Sequence, residues 1–280
     1  MLSGLLMVTL AAASWGTWSL FLRPTGLPAE ITTPVIFLVM GLVALPLALR
    51  SPRGTWDRKT IGLLFLNAAF DALNIITFFA AIAETTVAIA VLTHYVAPIL
   101  IALAAPWIDR VRTPGARPAA AIALLGLVVI LEPWREAAPG AMVGALLGVS
   151  SAICYTGNMF TVHRLVVRIG AGRAMSYHSL IVAVVASPLL ILFGDAISGP
   201  DLALLAIGAA TIGAGSGIVF AIGLTRIGSA RAAVLTFAEP IVAVAVGVIA
   251  WNEPLRPLAA LGGAMVLGAG IYVARRTATA

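Results

Sequence analysis

Asn67, Asp71 and Asn74 stand at i, i+4 and i+7 in an otherwise apolar run, and Phe78 extends the same helical face to i+11. An ionisable group in hydrocarbon costs roughly 2.5–3.5 kcal/mol on insertion scales, so this stripe must face protein or water and not lipid. Asp71 can hold the ammonium of a substrate or carry a proton. Its competing role is structural, in helix–helix hydrogen bonds. His94 lies mid-way through the next apolar run, beside Tyr95 and four residues before Pro98. Imidazole titrates nearest neutrality, at about 6.5, so His94 is a second proton-handling group or a satisfied structural histidine. His178 lies nearer one end of its run and ranks below His94, while His163 falls in a basic stretch and reads as solvated. Glu239 directly precedes Pro240. It organises the break made by a residue with no backbone donor, or it faces a pathway.

Trp15 and Trp18, Tyr155 and Asn158, and Tyr95 and Phe237 beside the two prolines can together line an aromatic pocket with few polar anchors. Such a pocket suits aromatic or apolar amino acids, or similar amphipathic metabolites. Ordinary membrane packing is the alternative for the same rings. Three histidines and one cysteine, Cys154, give neither metal-ligand spacing nor a disulfide. The sequence has no glycine-rich phosphate loop, and the isolated Gly215-Ser216-Gly217 sits inside an apolar run, unlike a nucleophile elbow. No cofactor and no enzyme activity are expected.

The elements that carry these residues follow from composition. The chain has 280 residues, 61% hydrophobic and 10% charged, with a mean hydropathy of +1.08. Soluble domains have about 25% charged residues, so this is an all-α membrane protein. The pI near 10.4 is explained by basic membrane loops and does not indicate a nucleic-acid partner. A crossing helix needs about 20 largely apolar residues. Ten segments qualify: 3–22, 30–49, 60–81, 85–107, 117–132, 140–161, 174–193, 202–224, 230–251 and 257–274. The first lacks a basic leader region and reads as a retained span.

One spacing recurs along the chain. Pro98 and Pro240 are 142 residues apart, as are Pro46 and Pro188, Gly126 and Gly268, Asn74 and Ser216, and Phe78 and Phe220. The chain reads as one five-span unit written twice, 1–136 and 137–280. An odd number of spans inserts the second copy upside down, so the expected fold is ten transmembrane helices in two inverted five-helix repeats. Position 71 is acidic in one copy while its counterpart, Gly213, is not, so the halves are chemically unequal. Pro98 and Pro240, with Glu239, mark helix breaks. Gly144…Gly148 and Gly213…Gly217 are small-residue patterns expected at close helix contacts.

With the N-terminus inside, inner loops hold fourteen basic residues and outer loops only three: Arg23, Arg135 and Arg256. The acidic residues Glu30, Glu84, Glu132, Glu136, Asp195, Asp201 and Glu253 fall outside. The bias predicts cytoplasmic termini and location in the cell (inner) membrane. Trp56, Trp107, Trp134 and Trp251 lie at span ends, where interfacial anchoring is expected.

The stretch Ala238-Glu239-Pro240, a small-residue helix, Trp251-Asn252-Glu253 and then Gly262-Gly263…Gly268…Gly270, with Trp15-Gly16 and the five-plus-five duplication, resembles the EamA type of the drug/metabolite transporter superfamily. His94-Tyr95-Val96-Ala97-Pro98 holds the matching place in the first half, with Ala97 where the second half has Glu239. This form is similar, more weakly, to the aromatic amino acid exporter branch. The resemblance implies a ten-helix carrier of small metabolites, with a cavity lined by spans 1, 3, 4, 6, 8 and 9 and with spans 5 and 10 peripheral. The expected function is secondary export of amino acids by alternating access. Its partners would be the substrate, the lipid bilayer and protons, unless the solute's own gradient drives it. Two other classes stay open: an intramembrane lipid-modifying enzyme using Asp71 and His94, and a non-transporting scaffold or sensor.

Overall fold

A computed structural model describes residues 1–51, 54–135, 140–193, 197–252, 254 and 257–276. Glu136, Asp195, Glu253 and Arg256, named above for their charge, lie outside the described residues, as does Arg53, one of the fourteen inner basic residues. The described residues form helices and no strand. Nine helical segments among them are long and apolar enough to cross a bilayer, and a shorter apolar helix spans Ala116–Leu131. Exposed Leu6, Leu10, Leu38, Leu42, Leu125 and Leu146 give the outer surface its apolar character. Such a surface requires lipid around it, and the chain is a multi-pass membrane protein.

The first segment is α1 (Leu2–Trp15), a turn at Gly16–Trp18, and α2 (Ser19–Leu22). Two uninterrupted helices follow, α3 (Ala29–Arg50) and α4 (Arg58–Glu84). The next segment is divided into α5 (Val87–His94) and α6 (Ala97–Ile108). Then come α7 (Ala116–Leu131), α8 (Ala141–Ile169) and α9 (Ala171–Phe193). A π-helical stretch, Ala209–Gly215, joins α10 (Gly199–Gly208) to α11 (Ser216–Ile227). A second divided segment consists of α12 (Ser229–Leu235) and α13 (Ala238–Trp251), and α14 (Pro257–Arg276) closes the order.

Helices pair across the chain's midpoint: α3 lies along α9, α4 along α8, α1 along α11, α7 along α14, and α6 against α12. Small residues permit these approaches. A Cβ at Gly16 would strike the Glu239 carbonyl and the Ala243 backbone, and one at Gly148 would strike the Thr93 side chain. Gly144 lies on Thr85, Gly213 on Met40 and Gly217 on Met175, while Gly126 and Gly262 press on each other's carbonyls.

Polar groups fix the helix ends where the basic residues concentrate. Asp57 caps α4 by accepting from the Thr60 backbone N–H at 2.7 Å, and it also meets Arg168 of α8. Hydrogen bonds from the Thr60 backbone and hydroxyl, then the Arg168 guanidinium, hold the Asp57 carboxyl at a pKa of about 2. The cap therefore stays charged until pH falls toward that value. Arg164 donates to the Ile108 carbonyl at 2.7 Å and Arg173 to the Ser51 carbonyl at 2.7 Å. Trp56, Trp107 and Trp134 are exposed at helix ends, whereas Trp251 donates its indole N–H to Ser19 Oγ at 3.2 Å.

Candidate functional site

A cavity of about 380 Å³ opens between the helices, lined by residues from both halves of the chain. Trp15 and Trp18 enter it from the first segment, Asp71, Asn74 and Phe78 from α4, and His94, Tyr95 and Pro98 from the divided α5–α6 segment. Tyr155 and Asn158 of α8, Phe220 of α11 and Glu239 of α13 complete the part of the lining expected from sequence. Ser216, Phe237 and Pro240 stand behind this wall. Ser216 hydrogen-bonds Ser14 at 2.6 Å, Phe237 is fully buried against Tyr95 with ring centroids 5.3 Å apart, and Pro240 is buried in the first turn of α13.

Asp71 is not alone in this wall. Its Oδ2 lies 2.8 Å from His178 Nε2, which reaches across from α9. The other ring nitrogen of His178, Nδ1, lies 3.0 Å from the Ala174 carbonyl. A carbonyl oxygen only accepts, so Nδ1 carries a hydrogen. The Nε2–Oδ2 contact then needs one further proton held between the two groups. Without it, two acceptors would face each other. The link between α4 and α9 is thus made by a proton, and Phe37 stands edge-on to the imidazole at 6.1 Å.

The first-half histidine belongs to a different set. Ser151 donates its one hydrogen to Asn74 Oδ1 at 2.7 Å, so His94 Nδ1, 2.8 Å from Ser151 Oγ, must itself be the donor. The imidazole packs among Phe78, Tyr95 and Tyr155, whose ring centroids lie 4.8, 5.5 and 5.4 Å from it. Asp71 and His94 therefore line one cavity with separate hydrogen-bond partners. Asn67 donates to Thr161 Oγ1 at 3.0 Å and to Asn158 Oδ1 at 3.3 Å, while its own Oδ1 is buried without a hydrogen-bond partner. Tyr95 and Glu239 both line the cavity. Trp15 packs on Phe220 at 4.8 Å.

The structure also places His178, ranked below His94 from sequence, in the cavity wall with Phe37, while Ser151 and Thr161 hydrogen-bond Asn74 and Asn67. A signal for His178 was present in the repeat. The spacing of 142 places His178 opposite Ile36 and Asp71 opposite Gly213, and all four line the cavity. His163, expected in a solvated loop, sits on α8, because that helix runs on to Ile169. There it lies 3.8 Å from Asp109 and 3.3 Å from Ser229. Burial alone would raise the Asp109 pKa. The hydrogen-bonding His163 and Ser229, with the charge of Arg164, hold it below its usual value instead. Among the described residues no group of three or more His, Cys, Asp or Glu side chains can hold a metal ion.

These features define a helical membrane protein with a central, mostly apolar cavity and a few partnered polar groups. The sequence model of the EamA-like transporter family matches residues 2–132 and 142–275, and the chain belongs to that family. An uncharacterized transporter of Archaeoglobus fulgidus is 31% identical over 275 residues, covering 96% of this chain and 95% of that protein. A crystal structure of a protein 23% identical in sequence superposes with a TM-score of 0.83 over 97% of this chain and 98% of that one, a likeness in fold. The chain is a membrane transporter and its substrate is a small molecule.

Proposed function

We propose that this transporter is a secondary exporter of small metabolites, with aromatic or apolar amino acids as the substrate class. It works by alternating access between two inverted five-helix units, 1–136 and 137–280. The observation that carries this reading is the cavity shared by both halves, with the proton-linked Asp71–His178 contact in its wall. A cavity of about 380 Å³ falls within the range of small-ligand sites. Its aromatic lining suits a ring or branched side chain, and Asp71 and Glu239 suit an ammonium group. The two stretches matched by the family model support a duplicated chain. So does the helix pairing. Exchanging the halves turns the α1–α11 pair into the α8–α4 pair and leaves the α3–α9 and α7–α14 pairs unchanged. Counting the Ala116–Leu131 helix as a crossing gives ten spans.

The cavity wall includes Leu22, Thr32 and Thr33, at the end opposite the arginine-rich one. At the arginine-rich end the contacts of Arg164, Arg168 and Arg173 tie the helices together. This arrangement suits a state closed on the side that the fourteen-to-three basic bias assigns to the cytoplasm. Protonation of the Asp71–His178 pair would then couple transport to the proton gradient.

The test is uptake into proteoliposomes across a panel of amino acids, with and without a pH gradient. Aromatic or branched substrates should accumulate, and the gradient should raise their rate. Equal passive flux for all solutes, matching empty vesicles, would reject the carrier reading. Orientation is checked in a Cys154→Ala background. Arg112→Cys should resist an impermeant thiol reagent in intact cells while Ala138→Cys, outside the described residues, should label. The opposite pattern would reverse the assigned direction.

A further inference from the structure

A second cavity, of about 410 Å³, lies at the arginine-rich end, away from the transport site. Four helix ends from both halves meet there: the start of α4, the end of α6, the last turns of α8 and the start of α12. Its charge is one-sided. Lys59, Arg110, Arg164 and Arg168 line it, against the single carboxylate of Asp109. Arg168 is committed to Asp57, and Arg164 stands 3.8 Å from Asp109. Lys59 and Arg110 are exposed and have no acidic partner within 4 Å among the described residues.

The backbone at Arg110 points the same way. Its φ is +57°, a left-handed conformation that costs an L residue roughly 1–2 kcal/mol. Glycine or asparagine usually takes that place after a helix. Here a large cation occupies it, at the cavity's edge.

The rim is apolar and lies at the membrane surface. Ile108, Val111 and Val167 are 41%, 54% and 72% exposed, and Trp107 beside them is 72% exposed. The Arg117 guanidinium lies 5.9 Å from the Trp107 ring centroid. A tryptophan with a basic neighbour marks headgroup level. We propose that this cavity binds the headgroup of an anionic phospholipid, with Lys59 and Arg110 holding its phosphate and Ile108, Val111 and Val167 meeting its acyl chains. Basic pockets between helix ends recognise such headgroups by this chemistry. A free phosphate ion would satisfy the same cations and leave the apolar rim uncovered, so the lipid is the better match. Bound there, one headgroup bridges α4 and α6 to α8 and α12.

The test is native mass spectrometry of the full chain in neutral detergent, titrated with phosphatidylglycerol, phosphatidylcholine or inorganic phosphate. Phosphatidylglycerol should bind saturably and more tightly than phosphatidylcholine. Lys59→Gln with Arg110→Gln should weaken it about 30-fold, the loss expected for two basic groups facing an anionic headgroup. Arg110→Gly supplies a second variant, because glycine suits the positive φ and the fold is kept while the cation is lost. It should also lose affinity. Arg276→Gln, outside the cavity, should bind as wild type does. Wild-type phosphatidylglycerol affinity in both cavity variants would overturn the proposal. So would equal binding of the two lipids, or displacement of phosphatidylglycerol by an equal concentration of inorganic phosphate.

Discussion

Asp71→Asn should fold, stay in the membrane and lose most proton-driven transport, by about 10–100-fold, the span expected when a hydrogen bond to a charged group worth roughly 1.5–3 kcal/mol is lost. Asparagine keeps the shape and can still accept or donate to His178, but it cannot share a titrating proton. His178 is left with the Ala174 carbonyl on one side and a neutral amide on the other. His178→Gln should produce the same defect. The double variant should be little worse than either single one, because both remove the same contact between α4 and α9. Substrate binding separates the roles of Asp71. Lost binding makes it the ammonium anchor, whereas retained binding with lost pH dependence makes it the coupling group. Wild-type rates in Asp71→Asn at every pH, measured in proteoliposomes, would mean that the carboxylate only joins two helices, and proton coupling would then have to rest on His94.

How much of this was legible beforehand depended on the range of each interaction. The stripe Asn67–Asp71–Asn74–Phe78 follows from the helical period alone, and α4 is one unbroken helix through it. The membrane class follows from composition, since no water-facing surface could be built from so few charges. The partners of the stripe did not follow. Asn67 reaches Thr161, Asn74 reaches Ser151, and Asp71 reaches His178, across 94, 77 and 107 residues. Such contacts depend on how α4 lies between α8 and α9, and no local spacing encodes that. The repeat could have supplied part of the answer, because His178 falls opposite Ile36. What hid it was the unequal chemistry of the halves. The same inequality shows in the backbone. The stretch equivalent to the uninterrupted α4 contains the π-helical turn Ala209–Gly215, with Ser216 Oγ reaching back to the Thr211 carbonyl at 3.4 Å. The turn adds one residue to the helical circuit there, a feature frequent at functional sites.

Replacing both Pro98 and Pro240 by alanine should leave the protein inserted and folded but about tenfold slower in transport, equivalent to adding about 1.4 kcal/mol to the barrier. The expectation rests on where the breaks fall. Each divided segment stops just before its proline: α5 ends at His94 and α6 begins at Ala97, and α12 ends at Leu235 and α13 begins at Ala238. Three-residue bonds bridge both gaps, Val96 N–H to the Thr93 carbonyl and Phe237 N–H to the Val234 carbonyl, each at 3.3 Å. The prolines thus occupy the first turns of new helices, where a missing N–H costs nothing because no intrahelical acceptor exists for it. Alanine restores that donor. The N–H of residue 98 could then bond the His94 carbonyl, and that of residue 240 the Thr236 carbonyl, letting each helix run straight through. Tyr95 and Phe237 meet at the two breaks, 5.3 Å apart, so straightening would pull this contact between the halves out of register. If the breaks are bending points for alternating access, substrate affinity should change little while exchange slows. A double variant with wild-type turnover would show that the interruptions only shape the cavity wall, and the moving element would have to be sought in the Gly16–Trp18 turn or the π-helical stretch.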